Sequence, residues 1–230
     1  MRNETPDPMR WTELARRLGL VFWALFFFLA LTKLGLLFRG DGPGQEVTGE
    51  GQVFVLELVR TLLIILTAGL LVYSYHARTP PQVRAVGLAE RYYPLLITVL
   101  AFGFFAFHTP PPPIWIYMGG IGLCILGWTI TLWSFWHLSK SFSIMAEVRK
   151  LVTAGPYRFV RHPLYLGEMI NWAGLAVLYA GVPVAVYTMV LIVLQILRAR
   201  VEEGKLVGAL GQNYEAYRQK TGFLIPGFRG

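Results

Sequence analysis

The sequence predicts an all-α integral membrane protein, a polytopic transmembrane helical bundle with about six membrane-spanning segments. Three observations carry this. Hydrophobic residues make up 55% of the 230 and charged residues only 15%, against roughly 25% charged in soluble domains. The apolar residues gather into long runs at 18–38, 53–75, 93–107, 114–136 and 164–197. The basic residues, finally, alternate between the loops that separate those runs. A soluble helical domain does not fit, because buried soluble helices rarely carry more than about a dozen consecutive apolar residues. Six of them in this length would leave no polar surface to cover them.

A helix needs about 20 apolar residues to cross a ~30 Å hydrocarbon core, with roughly 17 as the lower end. The runs at 18–38, 53–75 and 114–136 clear that length. The run at 93–107 is short, and 164–197 is broken at Gly181-Val182-Pro183 into two halves, so these three segments cross upright or in thinned lipid. The first run lacks a small-residue cleavage site and is followed by more spans, which argues against a signal peptide. Between spans, Gly40-Asp41-Gly42-Pro43-Gly44 reads as a turn and not a dinucleotide fingerprint, since no strand precedes it. The four prolines at 110–113 cannot be helical and predict a short stiff connection.

Charge supplies the topology. Residues 1–17 hold Arg2, Arg10, Arg16 and Arg17, and residues 76–92 hold Arg78, Arg84 and Arg91. Residues 137–163 hold Lys140, Arg149, Lys150, Arg158 and Arg161, and the tail holds Arg198, Arg200, Lys205, Arg218, Lys220 and Arg229. Eighteen of the 21 basic residues thus fall on one side. The other side has Arg39 alone, beside Asp41, Glu46 and Glu50, while Lys33 and Arg60 lie within spans. The positive-inside rule then predicts six crossings with both termini cytoplasmic, in an inner or plasma membrane. The same residues explain the net charge of +8 through anionic lipid headgroups, with no nucleic-acid partner. Glu57 and Arg60, three apart within the second span, are expected to pair with each other.

Cys124 stands alone inside the fourth run, a packing residue with no disulfide partner. His76, His108, His137 and His162 show no paired or HExxH spacing, so no metal site is expected.

The chemistry concentrates in the last 95 or so residues, where two polar, aromatic segments flank the final apolar hairpin. In the first, Gly155-Pro156 should turn the chain and Pro163 suits the first turn of a new helix. Arg161 and His162 then sit at the membrane surface, at the positive end of a helix with free N–H groups, a ready anion site. Tyr165 and Glu168 lie one turn further in, and an ionisable Glu168 in an apolar segment is expensive unless partnered or functional. In the second segment Arg198 and Glu202 are four apart and share a helix face, with Glu203 beside them. Residues 211–221 read as a short amphipathic interfacial helix, followed by an apolar Leu224-Ile225-Pro226 ending. Interface anchoring and surface salt pairs account for these residue types taken one by one; they do not explain why two such segments bracket one hairpin.

The run Leu151-Val152-Thr153, Gly155-Pro156-Tyr157-Arg158, Val160-Arg161-His162-Pro163, Tyr165 and Gly167 resembles the isoprenylcysteine carboxyl methyltransferase and phospholipid methyltransferase superfamily. So does the second block, Arg198-x-x-x-Glu202-Glu203 followed by Gly211, Tyr214, Tyr217 and the Leu-Ile-Pro ending. The resemblance covers roughly residues 120–228. It divides the chain into residues 1–113, three N-terminal spans, and residues 114–230, a methyltransferase core with a C-terminal cytoplasmic cofactor-binding region. It implies an S-adenosyl-L-methionine-dependent membrane enzyme in which the loop and the tail close over the cofactor. Carried over, Leu151, Val152, Tyr157, His162, Pro163, Leu164 and Tyr165 line the cofactor, Glu202 and Glu203 take its polar groups, and Arg198 faces the substrate. Arg161 and Glu168 complete the catalytic set. Two departures touch fine contacts: residues 139–143 lack a glutamine that animal members place near here, and Gly222-Phe223 replaces a basic residue found in many bacterial members.

Methyl transfer from a sulfonium needs an in-line nucleophile, a water-poor site and charge balance more than a strong acid or base. An acceptor carboxylate could be held bidentately by Arg198, whereas a thiol needs a proton acceptor, for which Glu168, Glu203 or His162 serve. The expected substrate is lipophilic or small, bears a carboxylate or thiol, and enters from lipid between helices. Two rivals stay open: an NADPH-dependent sterol-reductase-like enzyme, which shares a His-Pro and a Tyr-rich tail, and a non-catalytic membrane protein.

Overall fold

A computed structural model describes residues 8–39, 51–77, 93, 96–107, 109–110, 112–138 and 151–228. The glycine-rich turn at 40–44, the basic residues at 78–91 and the segment 139–150 lie outside the described residues. Those described form helices α1 (Pro8–Arg39), α2 (Gly51–Ala77), α3 (Ile114–Leu138), α4 (Pro163–Tyr179), α5 (Val182–Leu210) and α6 (Gln212–Arg218). Short 3-10 turns occupy Ala101–Ala106 and Gly155–Arg158.

Four segments are long and apolar enough to cross a membrane: Gly19–Arg39, Val53–Ser74, Ile114–Leu138 and Val182–Leu210. Large apolar side chains stand exposed along them, among them Phe28 on α1, Leu66 on α2, Trp115 on α3 and Val186 on α5. Water would not tolerate such surfaces and lipid does. The protein is an integral membrane helical bundle. The two further crossings expected from the sequence fall short of that length among the described residues. The chain breaks at Ala180, whose φ is 21°, and α4 stops at 17 residues, about 26 Å at 1.5 Å per residue. The helical residues at 96–100 tighten into the 3-10 turn and stop before the prolines.

The tightest helix pair is α3 against α4, which run antiparallel along a seam of small residues. A Cβ placed on Gly127 would lie 2.6 Å from the carbonyl oxygen of Gly167, and one on Gly174 would lie 2.7 Å from Cys124 Sγ. Gly120 and Gly127 on one helix, and Gly167 and Gly174 on the other, are each seven residues apart, two helical turns. Close backbone approach substitutes here for the hydrophobic drive that lipid cannot supply. Cys124 is a buried packing residue whose thiol donates to the Asn171 carbonyl at 3.7 Å.

One packed layer joins Trp23, Leu71, Phe135, Leu164, Tyr165, Ala199 and Phe223. It therefore brings together the later part of α2, the end of α3, the start of α4, the latter half of α5 and the tail. A second layer, Val53, Tyr117, Ile121, Cys124 and Leu178, joins the opposite ends of α2, α3 and α4.

Near that second layer, Glu57 is 2% exposed and holds more than the Arg60 partner expected. Arg60 Nη2 donates to both carboxylate oxygens at 2.9 and 2.8 Å and its Nε to one at 3.2 Å. Lys33 Nζ donates at 3.2 Å from α1 and Tyr117 Oη at 2.9 Å from α3. One carboxylate thus ties α1, α2 and α3 together where an unpaired charge would be prohibitive.

Candidate functional site

The site is built where the loop before α4 meets the tail after α6. Gly155 opens the loop with φ of 60°, a left-handed conformation that glycine adopts without penalty. A side chain there would also run into the His137 ring at the end of α3. Pro156 and Tyr157 follow in the 3-10 turn, both buried, and Pro163 starts α4 with His162 as its N-cap residue. The tail lies against this loop through its backbone. Arg161 N–H donates to the Gly222 carbonyl at 2.8 Å, Gly222 N–H to Phe159 at 3.1 Å, and His162 N–H to Phe223 at 3.3 Å. Glycine is required at 222, because a Cβ would lie 2.9 Å from the Ile225 carbonyl carbon and 3.1 Å from Pro226 Cα.

Side chains lock the same contact. Arg161 is fully buried and pairs with Glu203 of α5. Its Nη1 donates to the carbonyls of Thr221 at 2.7 Å and Arg218 at 3.1 Å. Tyr214, 1% exposed, donates to the same Glu203 oxygen at 3.2 Å. Tyr217 donates to the Tyr157 carbonyl at 2.6 Å, and Phe223 packs edge-on to His162. The helix expected over 211–221 is thus a seven-residue α6 whose tyrosines turn inward to the loop. Burial pushes the Tyr217 hydroxyl up to about 12 and the Tyr157 and Tyr214 hydroxyls up as well, so all three stay protonated donors at neutral pH.

On the inner side, α5 presents Gln195, Arg198 and Glu202 on one face, at the three- and four-residue steps of a helix. Arg198 Nε donates to Glu202 at 3.3 Å, and its guanidinium lies 4.9 Å from the centroid of the Tyr165 ring. Tyr165 Oη donates to Glu202. The His162 ring stacks parallel to Tyr165 at 5.5 Å. Glu168, one turn beyond Tyr165, accepts from Gln195 of α5. The adjacent Glu202 and Glu203 therefore do different work, since neighbours on a helix point about 100° apart. Glu202 faces the arginine and tyrosine of the site, and Glu203 fastens the tail.

Of the residues singled out by sequence, the structure brings together Tyr157, His162, Tyr165, Glu168, Arg198, Glu202 and Glu203. Pro163 and Leu164 are buried in the first turn of α4, while Leu151 and Val152 are half-buried in the irregular stretch that enters the loop. Arg161 is spent on Glu203 and two carbonyls, in a structural position beside the site. Sequence reasoning missed Gln195, whose signal was a lone amide within the apolar run 182–197. It also missed the close packing at Gly222 and the inward role of Phe223.

The residues fit a zwitterionic sulfonium cofactor. Two carboxylates, Glu202 and Glu168, lie close to one arginine, Arg198, leaving negative charge for a cationic sulfur. The buried rings of Tyr157, Tyr165 and His162 line the same region, with His162 stacked on Tyr165 and the Arg198 guanidinium over the Tyr165 ring. Two buried polar atoms lack a hydrogen-bond partner here, His162 Nε2 and Gln195 Oε1, although the former lies 3.4 Å from Glu203. Buried polar atoms normally find partners, and a ligand would supply them.

The profile of the phospholipid methyltransferase family matches residues 115–213. The chain is 31% identical over 147 residues to methanethiol S-methyltransferase of Pseudomonas sp. (strain GM41(2012)), covering 56% of this chain and 55% of that protein. It is 35% identical over 112 residues to protein-S-isoprenylcysteine O-methyltransferase of Schizosaccharomyces pombe, covering 46% of this chain and 48% of that one. The chain thus spans about half the length of these curated relatives. A solved eukaryotic intramembrane Ras methyltransferase, isoprenylcysteine carboxyl methyltransferase, aligns over 91% of this chain and 87% of its own at 21% identity, with a TM-score of 0.46, a loose superposition.

Proposed function

From the match of residues 115–213 to the phospholipid methyltransferase profile, we propose that the protein belongs to that superfamily and is an S-adenosyl-L-methionine-dependent methyltransferase embedded in the membrane. Its acceptor is a lipophilic or small molecule bearing a carboxylate or a thiol. The relatives' names point the same way, one acting on methanethiol and one on an isoprenylcysteine. The reading rests on one observation above all: the loop and tail meet over a cluster in which Arg198, Glu202, Tyr165 and His162 touch one another.

When bound, the cofactor supplies a methyl group already activated on a sulfonium. The chain's own residues do the rest. Glu202 and Glu168 balance positive charge at the inner wall, and the tyrosine and histidine rings line the same region. Arg198, fixed between Glu202 and the Tyr165 ring, orients an acceptor group. The tail, held by Arg161, Glu203 and Tyr214, excludes water, which strengthens each of these electrostatic contacts. Residues 114–230 form the catalytic core and residues 1–113 brace it. The basic ends face the cytoplasm of an inner or plasma membrane, where a water-soluble cofactor reaches the tail, and the acceptor enters from the lipid side.

Incubating membranes that contain the protein with a tritiated-methyl cofactor and membrane extracts tests this. The expected result is a labelled, protein-dependent product; label in none of the extracts, or binding of NADPH in place of the adenosyl cofactor, overturns it.

A further inference from the structure

One buried pair in the site has no role in holding the tail. Glu168 on α4 and Gln195 on α5 lie one turn deeper in the bundle than Tyr165 and Arg198, about 4.5 Å along each helix. Gln195 is 0% exposed, its amide N–H donates to the Glu168 carboxylate, and its Oε1 has no partner. A carboxylate and an amide carbonyl side by side, one turn below Tyr165 and Arg198 on the same two helices, make a place for a hydrogen-bond donor. Neither group suits an acceptor that is itself an anion, because like charges in a dry site repel strongly.

We propose that Glu168 and Gln195 form the acceptor subsite, which takes an uncharged alkyl thiol and in which Glu168 receives its proton. The inference rests on the methyltransferase reading above. Charge decides between acceptor classes. With Glu168 ionised, as a proton acceptor must be, Arg198 carries one positive charge against the two negative ones of Glu168 and Glu202, and a sulfonium cofactor of net charge +1 brings the sum to zero. A thiol keeps it there, whereas a carboxylate or an alkylammonium leaves a net charge in a desolvated site, which is costly. In the step, the thiol S–H bond breaks and its proton moves to a Glu168 carboxylate oxygen. The sulfur's electron pair forms the new S–C bond to the donor methyl. The donor's C–S bond breaks with its electrons going to the sulfonium sulfur, which leaves as a neutral thioether. Gln195 is a positioning residue: its N–H aims the carboxylate and its Oε1 takes part of the incoming S–H.

The test uses the full-length protein in lipid nanodiscs, wild type, Glu168→Gln and Gln195→Leu, each first checked for an unchanged melting temperature. Calorimetry with S-adenosylhomocysteine comes next. The wild type should bind, and its failure to bind overturns the methyltransferase reading and this inference with it. Given binding, octanethiol should be methylated in preference to octanoate and octylamine. Glu168→Gln should lower the rate with octanethiol about 10²-fold. It should raise the rate with 4-nitrothiophenol, a thiol already ionised at neutral pH, because the substitution removes the carboxylate that repels this anion in the wild type. Gln195→Leu should weaken octanethiol binding to the cofactor-free protein about tenfold, the order of one buried hydrogen bond. Preference for octanoate, or equal loss of both thiols in Glu168→Gln, overturns the inference while leaving the methyltransferase reading standing.

Discussion

Glu57 and Glu202 are built alike and finished differently. Each has an arginine on its own helix within one turn, Arg60 and Arg198, and each accepts from a tyrosine on another helix, Tyr117 and Tyr165. Glu57 has in addition Lys33 from α1, so that Oε2 accepts from Lys33 and Arg60 while Oε1 accepts from Arg60 and Tyr117. Around Glu202 the arrangement is unfinished. A further carboxylate, Glu168, stands nearby, and Gln195 Oε1 is left without a partner. A buried network with its donors and acceptors matched holds helices together. One with carboxylates in excess and an open polar atom is shaped for something added to it.

The largest effect on stability should come from the matched network. Glu57→Gln removes the one negative charge that faces Lys33 and Arg60, and breaking a buried ion pair from one side costs about 3–5 kcal/mol. Denaturation of the protein in detergent should show that loss, while affinity for S-adenosylhomocysteine in the folded fraction stays at the wild-type level. Loss of affinity without loss of stability would erase the contrast between the two ends.

Arg161 tests whether the tail brace is separate from the site. Arg161→Met takes the guanidinium from Glu203, which keeps only Tyr214 and His162 beside it, and leaves two carbonyls unpaired, worth about 3 kcal/mol, and should expose the tail to protease between α6 and the C-terminus. Lysine should not rescue it, because a single ammonium cannot span the Glu203 carboxylate and two carbonyls as the guanidinium fork does.

At Gly155 the effect should be smaller. Gly155→Ala adds a side chain at a positive φ and against the His137 ring, about 1–2 kcal/mol, seen as a lower melting temperature with the tail still protease-resistant.

Tyr217 should give the smallest change. Tyr217→Phe loses one hydrogen bond to the loop, about 1 kcal/mol. Its ordinary value of 10.0 is raised to about 12 by burial, so the unfolded chain loses this proton first as pH rises. The folded state therefore loses stability between about pH 10 and 12 and none below. Tyr217→Phe should remove this residue's part of that alkaline loss; an unchanged alkaline melting curve would show the hydroxyl to be exposed.

How much was readable in advance follows from where the partners lie. The Arg198–Glu202 contact is set by spacing along one helix, and so is Glu57–Arg60, so both could be named from sequence alone. Lys33 reaches Glu57 from 24 residues away, and Gln195 meets Glu168 across a helix hairpin, so neither partner could be chosen before the helices were placed. The glycines at 120, 127, 167 and 174 read as ordinary membrane-helix glycines until α3 and α4 are set antiparallel and their backbones touch. The inward turn of Tyr214 and Tyr217 was hidden for a different reason. An amphipathic tail helix has the same pattern whether its aromatic side meets lipid or protein, and only the bridge at Gly222 decides.

The direct test is calorimetry of the purified protein in nanodiscs with S-adenosylmethionine and no acceptor, repeated with Glu202→Gln. The account predicts binding with Kd below about 0.1 mM, weakened at least about tenfold by the substitution at unchanged melting temperature. No binding by a well-folded wild type at millimolar cofactor would contradict it.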